Sequence, residues 1–311
     1  MERITARKAL YIKLGRGGKW EDRCLSDGTM RFGYPEVSHE VARSADFAQI
    51  RDLFIAKGHK PGTATRHAQN VLSFYYEPAD TLWITFANGF LWWCFARPGV
   101  EFISLDASIM EESGTRFRQT VNGWHNTSLT GQPLRISELN GALTRVAAYR
   151  MTICSVQAHD YLIRKINGED LPEVTEAHAA RVGVIKAIGQ LIRLLTWADF
   201  ELLVELVFSA SGWRRIGATG GTQKTVDLEL TLPSTGERAF VQVKSKTDQV
   251  QLEHYLEHLA ARDEDKMFFV YHSADSPLAA IDPRLVLIDR ERLSDMVLDA
   301  GLFDWLVRKV G

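Results

Sequence analysis

Residues 226–244 alternate apolar and polar side chains on both sides of a short turn, and this pattern ties the C-terminal part of the chain to a sheet whose first strand pair has a fixed register. Val226-Asp227-Leu228-Glu229-Leu230-Thr231-Leu232 has the period of two expected of a half-buried strand, and Ala239-Phe240-Val241-Gln242-Val243-Lys244 repeats it. Pro233-Ser234-Thr235-Gly236 supply the turn. A hairpin symmetric about Ser234 and Thr235 sets Asp227 directly opposite Gln242, with Lys244 two residues further along the same face. A slip of one residue would turn that face over, so the register is a definite expectation. The plain alternative is an amphipathic hairpin whose polar face meets water.

That face has a chemical use. Mg²⁺ or Mn²⁺ prefers oxygen ligands and binds through one or two carboxylates together with substrate phosphate. Asp227 offers a carboxylate, Gln242 a neutral side-chain oxygen, and Val243 a backbone carbonyl. Lys244 beside such a metal can orient or deprotonate an attacking water and offset charge in the transition state of phosphodiester hydrolysis.

Upstream, Thr196 is a good N-cap with Asp199 three residues on. Phe200, Leu203, Val204, Val207 and Phe208 then form an apolar stripe at helical spacing, and Gly212 ends the helix. Glu201 and Glu205 lie four apart, on one face. The stretch from Gly212 to Asp227 holds Arg214, Arg215 and Lys224, no acid before Asp227, and several glycines, so a phosphate backbone can approach it closely.

With these residues in view, Asp199-Phe200-Glu201, Gly212-Trp213, Thr219-Gly220-Gly221, Val226-Asp227-Leu228 and Val241-Gln242-Val243-Lys244 resemble the PD-(D/E)XK nuclease superfamily, in its Mrr-like restriction endonuclease branch. The resemblance covers residues 196–311. It implies a metal-dependent endonuclease with Asp227, Gln242 and Lys244 at its centre. It also implies a helix glutamate, with Glu201 the better match and Glu205 the alternative. The chain departs from the pattern in having Val226 before Asp227 where a proline is common, and Lys224-Thr225 where an acid or glycine is frequent.

Further on, residues 249–261 read as a helix, 266–272 and 285–288 as buried strands, 290–298 as a helix, and 302–307 as a short final helix. Strand–strand–helix–strand–strand–helix predicts an α/β domain with a mixed sheet flanked by helices. Residues 137–166 and 176–195 read as helices interrupted at Asn167-Gly168 and Pro172, so residues 131–195 are expected to be a helical connector.

Residues 1–130 have a different texture, rich in glycine, aromatics and short strand-like runs. Residues 80–86 and 89–95 read as a hairpin with Asn88-Gly89 at its turn, and residues 47–56 and 63–74 as helices. The layout predicts an α+β small barrel and resembles PUA-like or EVE-like domains, which hold modified or flipped bases in aromatic pockets. Trp20, Trp92 and Trp93 are the candidate base-pocket residues, with Tyr34 and Trp83 as further aromatics; a core role is the alternative. Trp92 and Trp93 should point to opposite faces of their strand. Gly15-Arg16-Gly17-Gly18-Lys19 is not a P-loop, because Trp20 follows the lysine. Arg16 and Lys19 instead belong to a basic N-terminal segment suited to DNA phosphate.

The formal net charge of −2 neither favours nor excludes nucleic acid, since local patches do the binding. Cys24, Cys94 and Cys154 are too far apart for a metal motif or a disulfide framework, which with the absence of a signal peptide or long apolar span predicts a cytoplasmic, membrane-free protein. His254 and His258 lie four apart on a helix and offer a zinc-hydrolase alternative, yet His-Tyr-Leu-Glu-His lacks the glutamate that a zincin carries after its first histidine. A non-cleaving nucleic-acid binder on the same fold is the other alternative, against which the intact Asp227, Gln242 and Lys244 argue. The expected partner is DNA, modified or not, cut by a homodimer that presents two sites.

Overall fold

The computed structural model describes residues 3–216, 227–260, 266–279 and 282–311, apart from the side chains of His258 and Ala260. The chain forms two compact units, residues 1–171 and 172–311.

The strands of the first unit are β1 (Lys8–Ile12), β2 (Thr29–Phe32), β3 (Thr81–Ala87), β4 (Phe90–Ala96), β5 (Glu101–Phe102), β6 (Arg116–His125) and β7 (Ile153–Ser155). Its helices are α1 (Glu21–Asp27), α2 (His39–Arg43), α3 (Phe47–Ala56), α4 (Pro61–Tyr76), α5 (Ala107–Ser113), α6 (Gly141–Thr144) and α7 (His159–Asn167). The sheet runs β2-β6-β4-β3-β1-β7, with β5 also on β6. Asn88 and Gly89 join β3 to β4 with left-handed backbone, φ 52° and 81°, whose twist suits a tight hairpin. Alternation sorts the strands onto two cores. Leu10, Ile12, Trp83 and Cys94 pack with Ile50 and Phe54 of α3 and Val71 and Phe74 of α4. Ala9, Tyr11, Leu82, Ile84 and Trp93 face the other way, against Leu162 and Ile166 of α7.

The single helix expected over residues 137–166 is broken up, and only its end lies in a longer helix, α7. Residues 153–155 form β7, which pairs antiparallel with β1. Asn140 caps only the short α6, accepting from the Leu143 amide at 2.9 Å. The apolar spacing was real, but Ile153 is drawn into strand pairing along the β1 edge, and tertiary pairing outweighs local periodicity. The stretch read as a connector, 131–195, is therefore divided between the two units.

Two arginines are enclosed within the first unit. Arg116 (0 % exposed) donates to Tyr75 Oη (2.9 Å), Thr115 Oγ1 (2.9 Å), Tyr34 O (3.1 Å) and Val37 O (2.7 Å). Arg118 (1 % exposed) donates to the carbonyls of Arg97, Phe74 and Glu77. Each guanidinium thus ties together backbone oxygens of segments far apart in sequence, such as Val37 and Phe74.

The second unit contains α8 (Pro172–Ile192), α9 (Trp197–Ala210), β8 (Arg214–Arg215), β9 (Leu228–Leu232), β10 (Glu237–Thr247), α10 (Gln249–Ala260), β11 (Lys266–Ala274), β12 (Leu285–Ile288), α11 (Arg290–Asp299) and α12 (Phe303–Val310). Among the described residues the sheet order is β12-β11-β10-β9-β8. β8, β9 and β10 pair antiparallel, whereas β10, β11 and β12 pair parallel, so the sheet is mixed. One face, with Leu228, Leu230, Val241, Val243 and Val270, packs against α8, α9, α11 and α12. The other, with Phe240, Met267 and Phe269, packs against Leu252 and Leu259 of α10. This is the α/β layering expected, with helices on both faces. The long, apolar α9 buries Phe200, Leu203, Val204, Val207 and Phe208, the stripe read from the sequence.

Candidate active site

The β9–β10 register pairs Leu228 with Val241 and Glu229 with Phe240, as the turn symmetry requires. One more step puts Asp227 at Gln242. There Asp227 Oδ2 accepts from Gln242 Nε2 at 2.5 Å and from the Val243 amide at 2.7 Å. The Asp227 amide in turn donates to Val241 O at 3.2 Å. The carboxylate is therefore held by backbone and side chain together, at the end of a strand that cannot slip without exposing Leu228 and Leu230.

Gln242 is 2 % exposed, and its Oε1 is enclosed without a hydrogen-bond partner. Leaving such an oxygen unpaired costs about 1–3 kcal/mol. Burial pushes the Asp227 carboxyl above its usual range, against the pull of the Val243 amide, Lys244 and Gln242. Lys244 is half-buried, its Nζ 5.2 Å from the Tyr255 ring centre on α10. The set of an aspartate, an unpartnered amide oxygen and a neighbouring backbone carbonyl at Val243 suits a hard divalent cation, which prefers oxygen ligands.

The helix carboxylates separate clearly. Glu205 is tied to Arg215, whose Nη1 donates to its Oε2 at 2.8 Å. The Glu201 carboxyl is raised above its usual range, chiefly by burial and then by the Asp227 charge, while Lys244 and Arg215 pull it down. Glu201 thus shares the electrostatic field of Asp227 and Lys244. The α9 N-terminus is anchored by Thr196, whose Oγ1 accepts from the Asp199 amide at 3.2 Å, and by an ion pair of Asp199 with Lys309 at 2.7 Å.

A cleft of about 240 Å³ opens between this end of α9 and β10, lined by Trp197, Phe200, Glu201, Val243, Lys244 and Ser245. The sequence reading missed Trp197. Its spacing from Phe200 and Val204 continues the apolar stripe, which would place it in the core. It is instead 68 % exposed, because it is the first residue of the helix.

The other expected contacts are scattered. Arg214 is exposed on the short β8, and Arg215 is engaged by Glu205. Lys224 and the glycine loop of residues 219–221 lie outside the described residues. Arg16 is exposed, whereas Lys19 pairs with Glu111 at 2.7 Å. The candidate base pocket does not assemble. Trp20 is 7 % exposed and donates to Glu111 O, Trp92 packs on the same core and donates to Ala87 O, and Trp93 lies on the opposite core and donates to Thr127 O. Every indole N–H of the three is satisfied by backbone, and strict alternation divides Trp92 from Trp93, so these rings are packing residues. His254 is exposed and faces Glu257 at 3.7 Å, and the His258 side chain lies outside the description. Among the described residues no group of three or more His, Cys, Asp or Glu side chains could hold a metal by itself, and no helix is long and apolar enough to cross a membrane.

No curated protein and no solved structure matches the chain. Residues 192–297, the stretch that holds Glu201, Asp227, Gln242 and Lys244 on α9 and the β9–β10 hairpin, match the Mrr catalytic-domain family of restriction endonucleases.

Proposed function

We propose that the second unit is a divalent-metal-dependent DNA endonuclease of restriction type. The observation that carries this reading is the enclosed, unpartnered Gln242 Oε1 beside the Asp227 carboxylate. Asp227, Gln242 and the Val243 carbonyl would hold Mg²⁺ or Mn²⁺, with Glu201 adding negative charge nearby. Such a cation supplies Lewis acidity to the scissile phosphate. Lys244 orients the attacking water and offsets charge on the phosphoryl oxygens. The Val243 amide and the Gln242 amide group fix the Asp227 carboxylate in place before substrate arrives. Phe200, on the cleft wall, keeps that side of the site apolar.

In this reading the first unit selects the DNA, including any modified base, and two copies of the chain supply the two cuts. The residues proposed to read the base are no longer the three tryptophans, since their rings are packed. Cleavage of a panel of modified and unmodified genomic DNAs with Mg²⁺ or Mn²⁺ tests the reading. Metal-dependent cuts that disappear in Asp227→Ala and Lys244→Ala support it. Unchanged cleavage in both variants, or no nicking by the natural chain at any concentration, overturns it, the latter in favour of a non-cleaving binder. Equal binding of methylated, hydroxymethylated and unmodified duplexes by full-length Asp227→Ala removes the modification-dependent part.

A further inference from the structure

Helices α8 and α11 pack closely because α8 carries Gly189, where an added Cβ would come within 3.2 Å of Ser294 Oγ. Beside that crossing lies a groove of about 360 Å³, whose lining includes Val182, Ile185, Lys186, Arg193, Arg290 and Glu291. Lys186, Arg193 and Arg290 are all exposed, and among the described residues none of them makes an ion pair and Glu291 is the sole acid of the lining. The same two helices do form ion pairs where acids are at hand. Arg181 reaches both Asp295 at 2.8 Å and Asp299 at 3.2 Å. Burial first, and then Arg193 and Arg290, hold the His272 imidazole below its usual range, so it adds little to the positive charge there at neutral pH.

Three unpaired cations over an aliphatic wall repel one another, and a row of phosphates on a sugar backbone relieves that repulsion. Lys186 and Arg193 are seven residues apart. At 1.5 Å per residue the run from Lys186 to Ile192, the last residue of α8, is about 9 Å, or about three nucleotide steps of one strand, and Arg193 follows directly. Arg193 also stands only four residues before Trp197, which rims the candidate catalytic cleft. We infer that the α8–α11 groove holds backbone phosphates of the nucleic acid beyond the scissile one, as a second contact that feeds the strand toward the cleft. The inference rests on the nuclease reading for the identity of the strand.

The test is binding of a short DNA duplex by the full-length chain without metal, measured over a range of salt concentrations. The Lys186→Ala/Arg193→Ala/Arg290→Ala variant should bind at least about tenfold more weakly at physiological salt. Its slope of log Kd against log salt should fall by about 2 to 3, at about 0.9 per phosphate contact. Glu291→Gln should bind more tightly than the natural chain, which guards against a folding defect in the triple variant. An unchanged salt slope in the triple variant, or no tightening in Glu291→Gln, overturns the groove. Cleavage lost with Asp227→Ala while the slope is unchanged refutes the groove alone. A lost slope in a chain that cleaves no DNA refutes the nuclease and leaves the groove standing.

Discussion

Arg116 in the first unit and Gln242 in the second are both buried polar side chains in the middle of a sheet, yet they are treated in opposite ways. The Arg116 guanidinium finds two backbone carbonyls and two hydroxyls, and no nitrogen of it or of Arg118 is left unpaired. Gln242 pairs its nitrogen with Asp227 and leaves its oxygen with nothing. The first arrangement is a finished piece of architecture. The second leaves a buried acceptor unpaired, a cost that a ligand at that oxygen would remove. Trp83 Nε1 and Thr85 Oγ1 in the first unit lack partners too, with no carboxylate bonded to either side chain, and Arg31 Nε and Arg215 Nε lack partners beside Asp27 and Glu205 but are donors that no cation can use. The company of Asp227 is what sets Gln242 apart.

The largest effects should fall on chemistry in one region and on folding in the other. Asp227→Ala or Lys244→Ala should lower single-turnover cleavage by at least about 10³-fold while the chain still melts cooperatively. A loss smaller than tenfold would mean that these groups lie beside the reaction and not in it. Arg116→Ala should destabilise the first unit by about 3–5 kcal/mol, because it empties a fully enclosed site and takes the donor from Val37 O. Denaturant unfolding measures this, and a change under about 1 kcal/mol would erase the contrast with Gln242.

The helix acids sharpen the comparison within the second unit. Glu201→Gln should slow cleavage about tenfold, as expected of a charge near but not at the centre, whereas Glu205→Gln should change it by no more than about twofold. The reverse order would make Arg215, and not Glu205, the group to be explained.

The smallest effect is one of pH. Burial holds Asp227 above its usual range, and burial with the Asp227 charge does the same for Glu201. Both therefore bind protons more tightly in the folded than in the unfolded chain. Metal-free stability should decline as pH rises through the ordinary carboxylate range toward these raised values. Asp227→Asn keeps an oxygen for the Val243 amide and removes the charge. Its metal-free melting temperature should match the natural chain in acid and exceed it modestly at neutral pH. A variant less stable at neutral pH than in acid, relative to the natural chain, would show that Asp227 is stabilised by its partners more than it is strained.

Much of this was legible in the sequence where local rules and tertiary packing agree. The Pro233–Gly236 turn, the alternation and the hairpin symmetry gave the β9–β10 register, and the apolar stripe gave α9. Legibility ended where a distant partner decides. Nothing local in residues 137–166 announces that β1 needs an edge partner, so β7 was read as helix. The bond that engages Glu205 comes from Arg215, ten residues on and placed by β8, which helical spacing alone does not announce. Trp92 and Trp93 face opposite sides, as alternation predicts, but the two cores they pack on are built from distant segments that alternation does not name. The unpaired cations between α8 and α11 come from helices a hundred residues apart in sequence, and no motif joins them.

The contrast between a satisfied arginine and an unsatisfied glutamine is settled most directly by calorimetric titration of the full-length chain with Mg²⁺ and Mn²⁺. The natural chain should bind the metal, Gln242→Leu should bind it at least about tenfold more weakly, and Gln242→Glu should bind it as well or better. Equal affinity in all three would show that the orphaned oxygen plays no part in holding a cation.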